Sequence, residues 1–370
     1  MATDIDPNRA GAVLEIDLAA IAANWRGLSA RHPSGPVAGV VKADAYGLGA
    51  EAVVPALHAA GCRHFFVAHL PEALAIRDLA PASLLGVLNG LIPGTEPDYV
   101  AKNLTPVLGS LAEIEAWSAQ SRRVGRALPA ILHIDTGMSR LGLDGPALAA
   151  LRDDPWRLDG LALLYMMTHL VASEMPADPM NRAQLARFAA ACAVLPPAPR
   201  SLANSSGMFL GPGWGSDLAR PGAALYGINP TPGQANPMRP VVRLRARVLA
   251  VREIPAGTSV GYNATWTASR PSRIATAAMG YADGWHRSQS GRGLAVFDGK
   301  PVALVGRVSM DLTTFDVTDH PAIVPGSWLE MIGPHRSPDD VAAGTTNGYE
   351  VLTSLGHRFA RVYLSGVDKS

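Results

Sequence analysis

Along residues 11–240, short β-rich apolar runs alternate with alanine- and leucine-rich stretches. The runs at 37–41, 65–68, 84–88, 105–108, 130–134, 161–168, 201–203 and 217–220 read as strands. Most are separated by stretches with helical spacing and good helix formers, at 21–30, 50–60, 71–79, 111–119, 146–152 and 182–194. Eight β/α units in order predict an α/β fold, an N-terminal (β/α)8 TIM-type barrel. A doubly wound sheet is the alternative, and the strand count favours the barrel.

The pattern changes near 230–240, a linker-like stretch rich in Pro, Gly and Asn. Beyond it the chain is β-rich, with strands expected at 241–251, 259–265, 273–279, 294–297, 302–318 and 327–332. A last helix is expected near 347–355 and a closing strand at 361–364. The division is therefore 12–238 for the barrel and 239–370 for a C-terminal, mostly-β domain. Residues 12–17 also read as a strand; they precede the first barrel unit and are open to pairing with the second domain.

Bulk properties narrow the function. At 370 residues and 48% hydrophobic, the chain is long enough for two cores. A net charge of +1 gives no electrostatic case for nucleic acid or an anionic membrane. Cys62 and Cys192 form neither a disulfide framework nor a metal-ligand spacing, and they fit a reducing compartment. No apolar run reaches membrane-spanning length, and the acidic amino terminus lacks a signal-peptide profile, so a cytoplasmic protein is expected.

The chemistry gathers at strand ends. Lys42 follows an apolar strand and precedes the turn Ala43-Asp44-Ala45-Tyr46-Gly47. Taken alone, such a segment is more often a surface lysine. Among apolar walls, however, an amine loses stability as a cation and becomes a nucleophile able to form a Schiff base. His133, Asp135 and Arg140 follow the fifth strand, Thr168-His169 the sixth, Asn204-Ser205 the seventh, and Arg220-Pro221-Gly222-Ala223 the eighth. Loops after the last two barrel strands commonly hold phosphate on backbone amides. Here the amides of Gly222 and Ala223 with the Ser205 hydroxyl suit that task. Each loop alone reads equally well as a capped turn. Both together with Lys42 point to pyridoxal phosphate, a phosphorylated cofactor that forms an imine.

Six blocks then carry a resemblance: Val41-Lys42-Ala43-Asp44-Ala45-Tyr46-Gly47-Leu48-Gly49, Asp135-Thr136-Gly137-Met138-Ser139-Arg140-Leu141-Gly142, Ala219-Arg220-Pro221-Gly222, Val260-Gly261-Tyr262, Gly280-Tyr281-Ala282-Asp283-Gly284 and Gly306-Arg307-Val308-Ser309-Met310-Asp311. In order and spacing, over about residues 12–364, the chain resembles alanine racemase. The resemblance implies a homodimer with shared active sites acting on a small amino acid. Lys42 would hold the cofactor and serve as one base, and Tyr262 of a partner chain as the other. A racemase removes a proton from one face and returns it to the opposite face, so it needs two. Arg220 would face the pyridine nitrogen and His169 would bond Arg220. Arg140 would bind cofactor and substrate carboxylate, and the Met310 amide would bind that carboxylate from the partner. Tyr46, Ser205, Gly222, Ala223 and Tyr349 would hold phosphate, with Asn204 beside them. Tyr281 and Tyr349 would narrow the entrance. The product would be D-alanine for peptidoglycan, and no metal is implied.

The chain departs from the family's pattern in places. His133 stands where many relatives have a lysine, often carbamylated, that braces the arginine corresponding to Arg140. Asn263 replaces a common glycine, Trp285 a smaller aromatic, and Ser309 an occasional cysteine. A broader-specificity racemase, acting on serine or larger residues, is the nearest alternative. A related barrel decarboxylase would pair the ring nitrogen with a carboxylate, against Arg220. A non-catalytic cofactor-binding barrel would lack the second domain that carries Tyr262 and Met310.

Overall fold

Seven parallel strands follow one another around the amino-terminal part of the chain in a computed structural model that describes residues 6–365. The amino terminus read above, Met1–Ile5, lies outside the described residues. Strand β1 (Ala12–Asp17) comes first but belongs elsewhere. The seven are β2 (Gly39–Val40), β3 (His64–Val67), β4 (Leu84–Val87), β5 (Thr105–Leu108), β6 (Leu128–His133), β7 (Leu161–Met167) and β8 (Arg200–Ser201), paired in sequence order.

The eighth strand expected at 217–220 is not a strand. A single bridge links Val37 to Ala219. The segment nonetheless closes the ring. On one side the Leu218 amide donates to the Arg200 carbonyl (3.2 Å) and the Arg220 amide to Ala203 (2.8 Å). On the other the Ala38 amide donates to Ala219 (2.9 Å) and the Val40 amide to Pro221 (3.2 Å). Pro221 has no N–H to extend the ladder, so regular pairing stops there. Leu218 joins Ala38, Val40, Phe66, Val107, Ile131 and Met167 in one buried cluster that fills the lumen. Gly86 is required on β4, because the Phe66 ring occupies the space its side chain would take.

The outer helices start and stop where their caps dictate. Asp17 accepts from the Ala20 amide (2.8 Å) to open the helix Leu18–Arg31. Ser110 caps Leu111–Val124, and Gly125 ends it in the left-handed region. A helix at Glu96–Ala101 was not legible from its spacing.

Past the linker, β9 (Val242–Ile254) anchors an eight-stranded sheet. Strands β10 (Ser259–Val260) and β11 (Trp266–Thr267) form a separate ribbon, so the single strand expected at 259–265 is broken by a turn at Tyr262–Ala264. Next come β12 (Ser272–Ala277), β13 (Leu294–Phe297), β14 (Lys300–Ala303), β15 (Thr313–Asp316), β16 (Trp328–Ile332) and β17 (Ala360–Leu364). The expected strand 302–318 splits into β14 and β15, and the loop between them carries Met310. The sheet runs β14-β13-β16-β9-β1-β17, with β12 on β9 and β15 on β12. Thus β1 pairs antiparallel with β9 and parallel with β17, inside the second sheet. Both cysteines are buried. Among the described residues no helix is long and apolar enough to cross a membrane.

Candidate active site

A cleft of about 380 Å³ opens at the carboxyl ends of the barrel strands. Lys42, Tyr46, Arg140, His169, Asn204, Ser205, Arg220, Gly222, Ala223 and Tyr349 all line it. Residues spread over three hundred positions meet there because parallel strands deliver their carboxyl ends to one face.

Lys42 leaves β2 into an unusual turn. Ala43, Asp44, Ala45 and Tyr46 have φ of 52°, 54°, 53° and 57°, four consecutive left-handed residues, none of them glycine. Each costs roughly 1–2 kcal/mol. Contacts from distant elements impose the shape. Glu72 accepts from the Ala43 amide (2.6 Å), Asp44 from the Ala50 amide (2.7 Å), and Arg361 donates to the Gly47 carbonyl (2.8 Å). The result is that Lys42 and Tyr46 both reach the cleft. Burial, with Arg140 nearby, holds the Lys42 amine below the ordinary lysine range, and Glu72 opposes this. Burial, helped by Tyr349, raises the Tyr46 phenol, so it stays a neutral O–H donor.

At the other end of the cleft the Ser205 hydroxyl accepts from the amides of Gly222 (3.0 Å) and Ala224 (3.2 Å). Gly222 and Ala223, whose amides are expected to hold phosphate with the Ser205 hydroxyl, both line the cleft beside it. A side chain at Gly222 would collide with the Tyr46 hydroxyl. This concave set of hydroxyls and backbone donors fits a phosphate. Asn204 is turned to its own loop, accepting from Ser173 (2.8 Å) and the Gly207 amide (2.9 Å).

Arg220 is buried and belongs to none of the ion pairs among the described residues. It donates to the Ser201 hydroxyl and to the Thr168 carbonyl (2.6 Å). The expected His169–Arg220 hydrogen bond is not formed; backbone and hydroxyl oxygens satisfy the guanidinium instead. Burial, then Arg220, Arg140 and Lys42, push His169 down to about 3, so its ring is neutral. His133 is pushed down to about 4 by burial and Arg220. Together with Arg140 it borders an adjoining cavity of about 500 Å³, so Arg140 faces both spaces. The Arg140 loop is shaped by Asp135, whose carboxylate accepts from the amides of Gly137 (2.9 Å), Met138 (2.9 Å) and Ser139 (3.1 Å).

Tyr262, Tyr281 and Met310 do not reach this cleft. They stand 63%, 41% and 54% exposed on the second sheet's loops. The loops of Tyr281 and Met310 are joined, the Tyr281 amide to Ser309 (3.0 Å) and the Ala282 amide to Met310 (2.9 Å). The Gly261 backbone packs beside Gly306 and Arg307, at the start of the loop that carries Met310.

Sequence reasoning missed three supports, Glu72 under the lysine turn, Ser201 on Arg220, and Tyr226 stacked on Tyr46, and it placed Thr168 at a strand end without giving its carbonyl to Arg220. Only Glu72 carried a signal, as the third helical residue of a capped helix start.

Residues 16–230 match the family description "Alanine racemase, N-terminal domain", and 241–363 match "Alanine racemase, C-terminal domain". The chain is 59% identical to a protein named alanine racemase from Acidiphilium cryptum, over 95% of this chain and 98% of the other. It is 51% identical to that named for Rhodospirillum rubrum, over 96% of each. Among solved structures, alanine racemase from Bartonella henselae with covalently bound pyridoxal phosphate aligns with a TM-score of 0.93. That match is 41% identical and covers 96% of this chain and all of the other.

Proposed function

The chain belongs to the alanine racemase family of pyridoxal phosphate-dependent isomerases, and from that premise we propose that it interconverts L-alanine and D-alanine with two bases, Lys42 and a partner protomer's Tyr262. The product would serve as D-alanine for peptidoglycan. The domains are taken as 12–238 and 239–370, with β1 lent to the second. The observation that carries the reading is a division. Lys42, Arg140, Arg220 and the Ser205–Gly222 cradle share one cleft, whereas Tyr262, Tyr281 and Met310 stand exposed away from it. One chain thus holds half a site and offers the other half, which favours a head-to-tail homodimer.

When bound, pyridoxal phosphate supplies a carbonyl carbon for the Lys42 amine and a conjugated ring that takes up the electron pair left at the substrate Cα. Ser205 Oγ, the amides of Gly222 and Ala223 and the hydroxyls of Tyr46 and Tyr349 would hold its phosphate, with Asn204 beside them. The lowered basicity of Lys42 leaves its Nζ able to take the Cα proton on one face. Tyr262 Oη would deliver or take the proton on the other. Arg220, fixed by Ser201 and Thr168, cannot accept a proton and would disfavour protonation of the cofactor's ring nitrogen. Arg140 and the partner's Met310 amide would grip the substrate carboxylate. Neutral His169 adds no further positive charge beside Arg220. Tyr281 and Tyr349 would narrow the entrance and favour a methyl side chain.

The test is incubation with cofactor and L-alanine in D2O, following optical rotation and Cα deuterium together. Loss of rotation with deuterium entry is expected. Deuterium entry without loss of rotation would mean abstraction from one face and would remove Tyr262 from its role. L-Serine and L-lysine run in parallel set the breadth.

A further inference from the structure

We propose that Arg358 is a positioning residue for the two loops that carry Tyr281 and Met310, holding them in the shape that a second protomer's cleft receives; this rests on the shared-site reading above. Arg358 lies between the helix Gly348–Ser354 and β17. Its Nε donates to Asp283 Oδ1 at 2.7 Å, and its Nη1 donates to Asp311 Oδ1 at 2.7 Å. Asp283 ends the turn Tyr281–Asp283, and Asp311 directly follows Met310. One guanidinium therefore spans both loops.

The two arms differ in strength. The Asp311 side chain is 55% exposed, and an ion pair there contributes little by itself. The Asp283 side chain is 7% exposed, and its other oxygen accepts from the Gly280 amide at 2.9 Å. The turn that presents Tyr281 is thus built on a buried carboxylate, and among the described residues Arg358 is the cation paired with it. Removing that cation leaves a buried charge uncompensated, which forces the turn to reorganise. The loops are already in contact through the Tyr281 and Ala282 amides, so a shift in one moves the other. A planar fork that donates in two fixed directions suits this task better than an ammonium.

Arg358 does not line the cleft of its own barrel. The helix before it carries Tyr349, which does, and the Gly356 amide donates to the Asp283 carbonyl at 3.0 Å. Two routes to catalysis therefore exist, one to the chain's own cleft through Tyr349 and one to the partner's cleft. Both ion-pair arms end on the exposed loops, and the proposal commits to the second route.

The experiment compares Arg358→Gln, Arg358→Lys and Asp311→Asn holoenzymes with the parent. Arg358→Gln is expected to raise KM for alanine about tenfold while kcat falls less than about threefold, because substrate gripping and the entrance are disturbed rather than the bases. Amides in 280–284 and 309–312 should exchange with deuterium about tenfold faster, with those of the helix Gly348–Ser354 unchanged. Lysine should restore part of both effects, and Asp311→Asn should show a smaller change in the same direction. A mixed dimer of Lys42→Ala and Arg358→Gln subunits decides the route. Its one live site uses the intact loops of the Lys42→Ala subunit, so its KM should return to the parent value.

Unchanged KM and exchange in Arg358→Gln would overturn the proposal. So would a mixed dimer that keeps the raised KM, which would assign the effect to Tyr349. Should Arg358→Gln fail to fold, the exposed Asp311→Asn carries the same comparison, and unchanged KM and exchange there would overturn it too. A parent protein that does not racemise alanine sinks the shared-site reading on its own. In that event unchanged loop exchange would still refute the role given to Arg358.

Discussion

The Tyr46 ring lies against that of Tyr226, with centroids 4.7 Å apart and planes 30° from parallel. The Tyr226 hydroxyl donates to the Val40 carbonyl at 3.0 Å, two residues before Lys42. Tyr226 therefore ties Tyr46, which lines the cleft, to the strand that delivers the lysine. Tyr226→Leu should keep the fold and lose the stack and this bond. Cofactor retention is expected to weaken by up to about thirtyfold, from an aromatic pair and a hydrogen bond each contributing about 1 kcal/mol. Fluorescence titration of the apo-protein with pyridoxal phosphate measures it, and unchanged affinity would show that the stack does not orient Tyr46.

Burial lowers the basicity of Lys42, Arg140 lowers it further, and Glu72 raises it. Uptake of the cofactor by apo-protein should rise with pH as the amine loses its proton, with a midpoint below the ordinary lysine value. Glu72→Gln keeps an acceptor for the Ala43 amide but removes the charge, so the midpoint should move down. Arg140→Gln removes a cation and should move it up. Stopped-flow absorbance across pH gives all three midpoints, and opposite signs would contradict the electrostatic assignment.

Tyr262→Phe removes one hydroxyl from an exposed side chain. The visible absorbance of the lysine-bound cofactor should persist, with racemisation slowed on the order of a hundredfold or more. The fall in kcat/KM should be equal in the two directions, because the enantiomers have equal free energy, whereas solvent exchange of the Cα proton should be lost unequally, since only one face would have lost its base. Circular dichroism assays with deuterium incorporation from L- and D-alanine separately check this. A fully active variant would end the two-base assignment.

His133 is buried and neutral, with its folded pKa pushed down to about 4. Its unfolded value is near that of a free imidazole, about 6.5. The unfolded chain therefore binds a proton more readily as pH falls, so the stability contribution is complete above about pH 6.5 and is lost progressively toward pH 4. Between pH 6.5 and 5 the loss is up to about 2 kcal/mol. His133→Gln should flatten the fall in Tm over this window, which differential scanning calorimetry at pH 7, 6 and 5 resolves.

Much of this protein was legible in the order of its residues. The β/α alternation announced the barrel because each strand and helix needs its own local hydrophobic period. The lysine at a strand end, the serine and glycine after later strands, and Arg220 could be placed because parallel topology sends every strand's carboxyl end to one face. Motif blocks singled out Tyr262, Tyr281 and Met310 as residues with a role.

Other features depended on contacts between distant parts of the chain. Ala43, Ala45 and Tyr46 have no intrinsic preference for positive φ, and the left-handed turn exists because Glu72, Arg361 and the 44–50 loop hold it there. The eighth barrel element is a row of single hydrogen bonds interrupted by a proline, which no local pattern of strand formers describes. His169 was expected to hold Arg220, but a buried guanidinium takes whichever oxygens its surroundings leave unpaired, here Ser201 and Thr168. The sequence by itself determined which elements form and which residue types carry the chemistry, because propensity and periodicity are local. Which side chains share the cleft and which face away from it was decided by tertiary structure, since that depends on closing the barrel and docking the second sheet's loops.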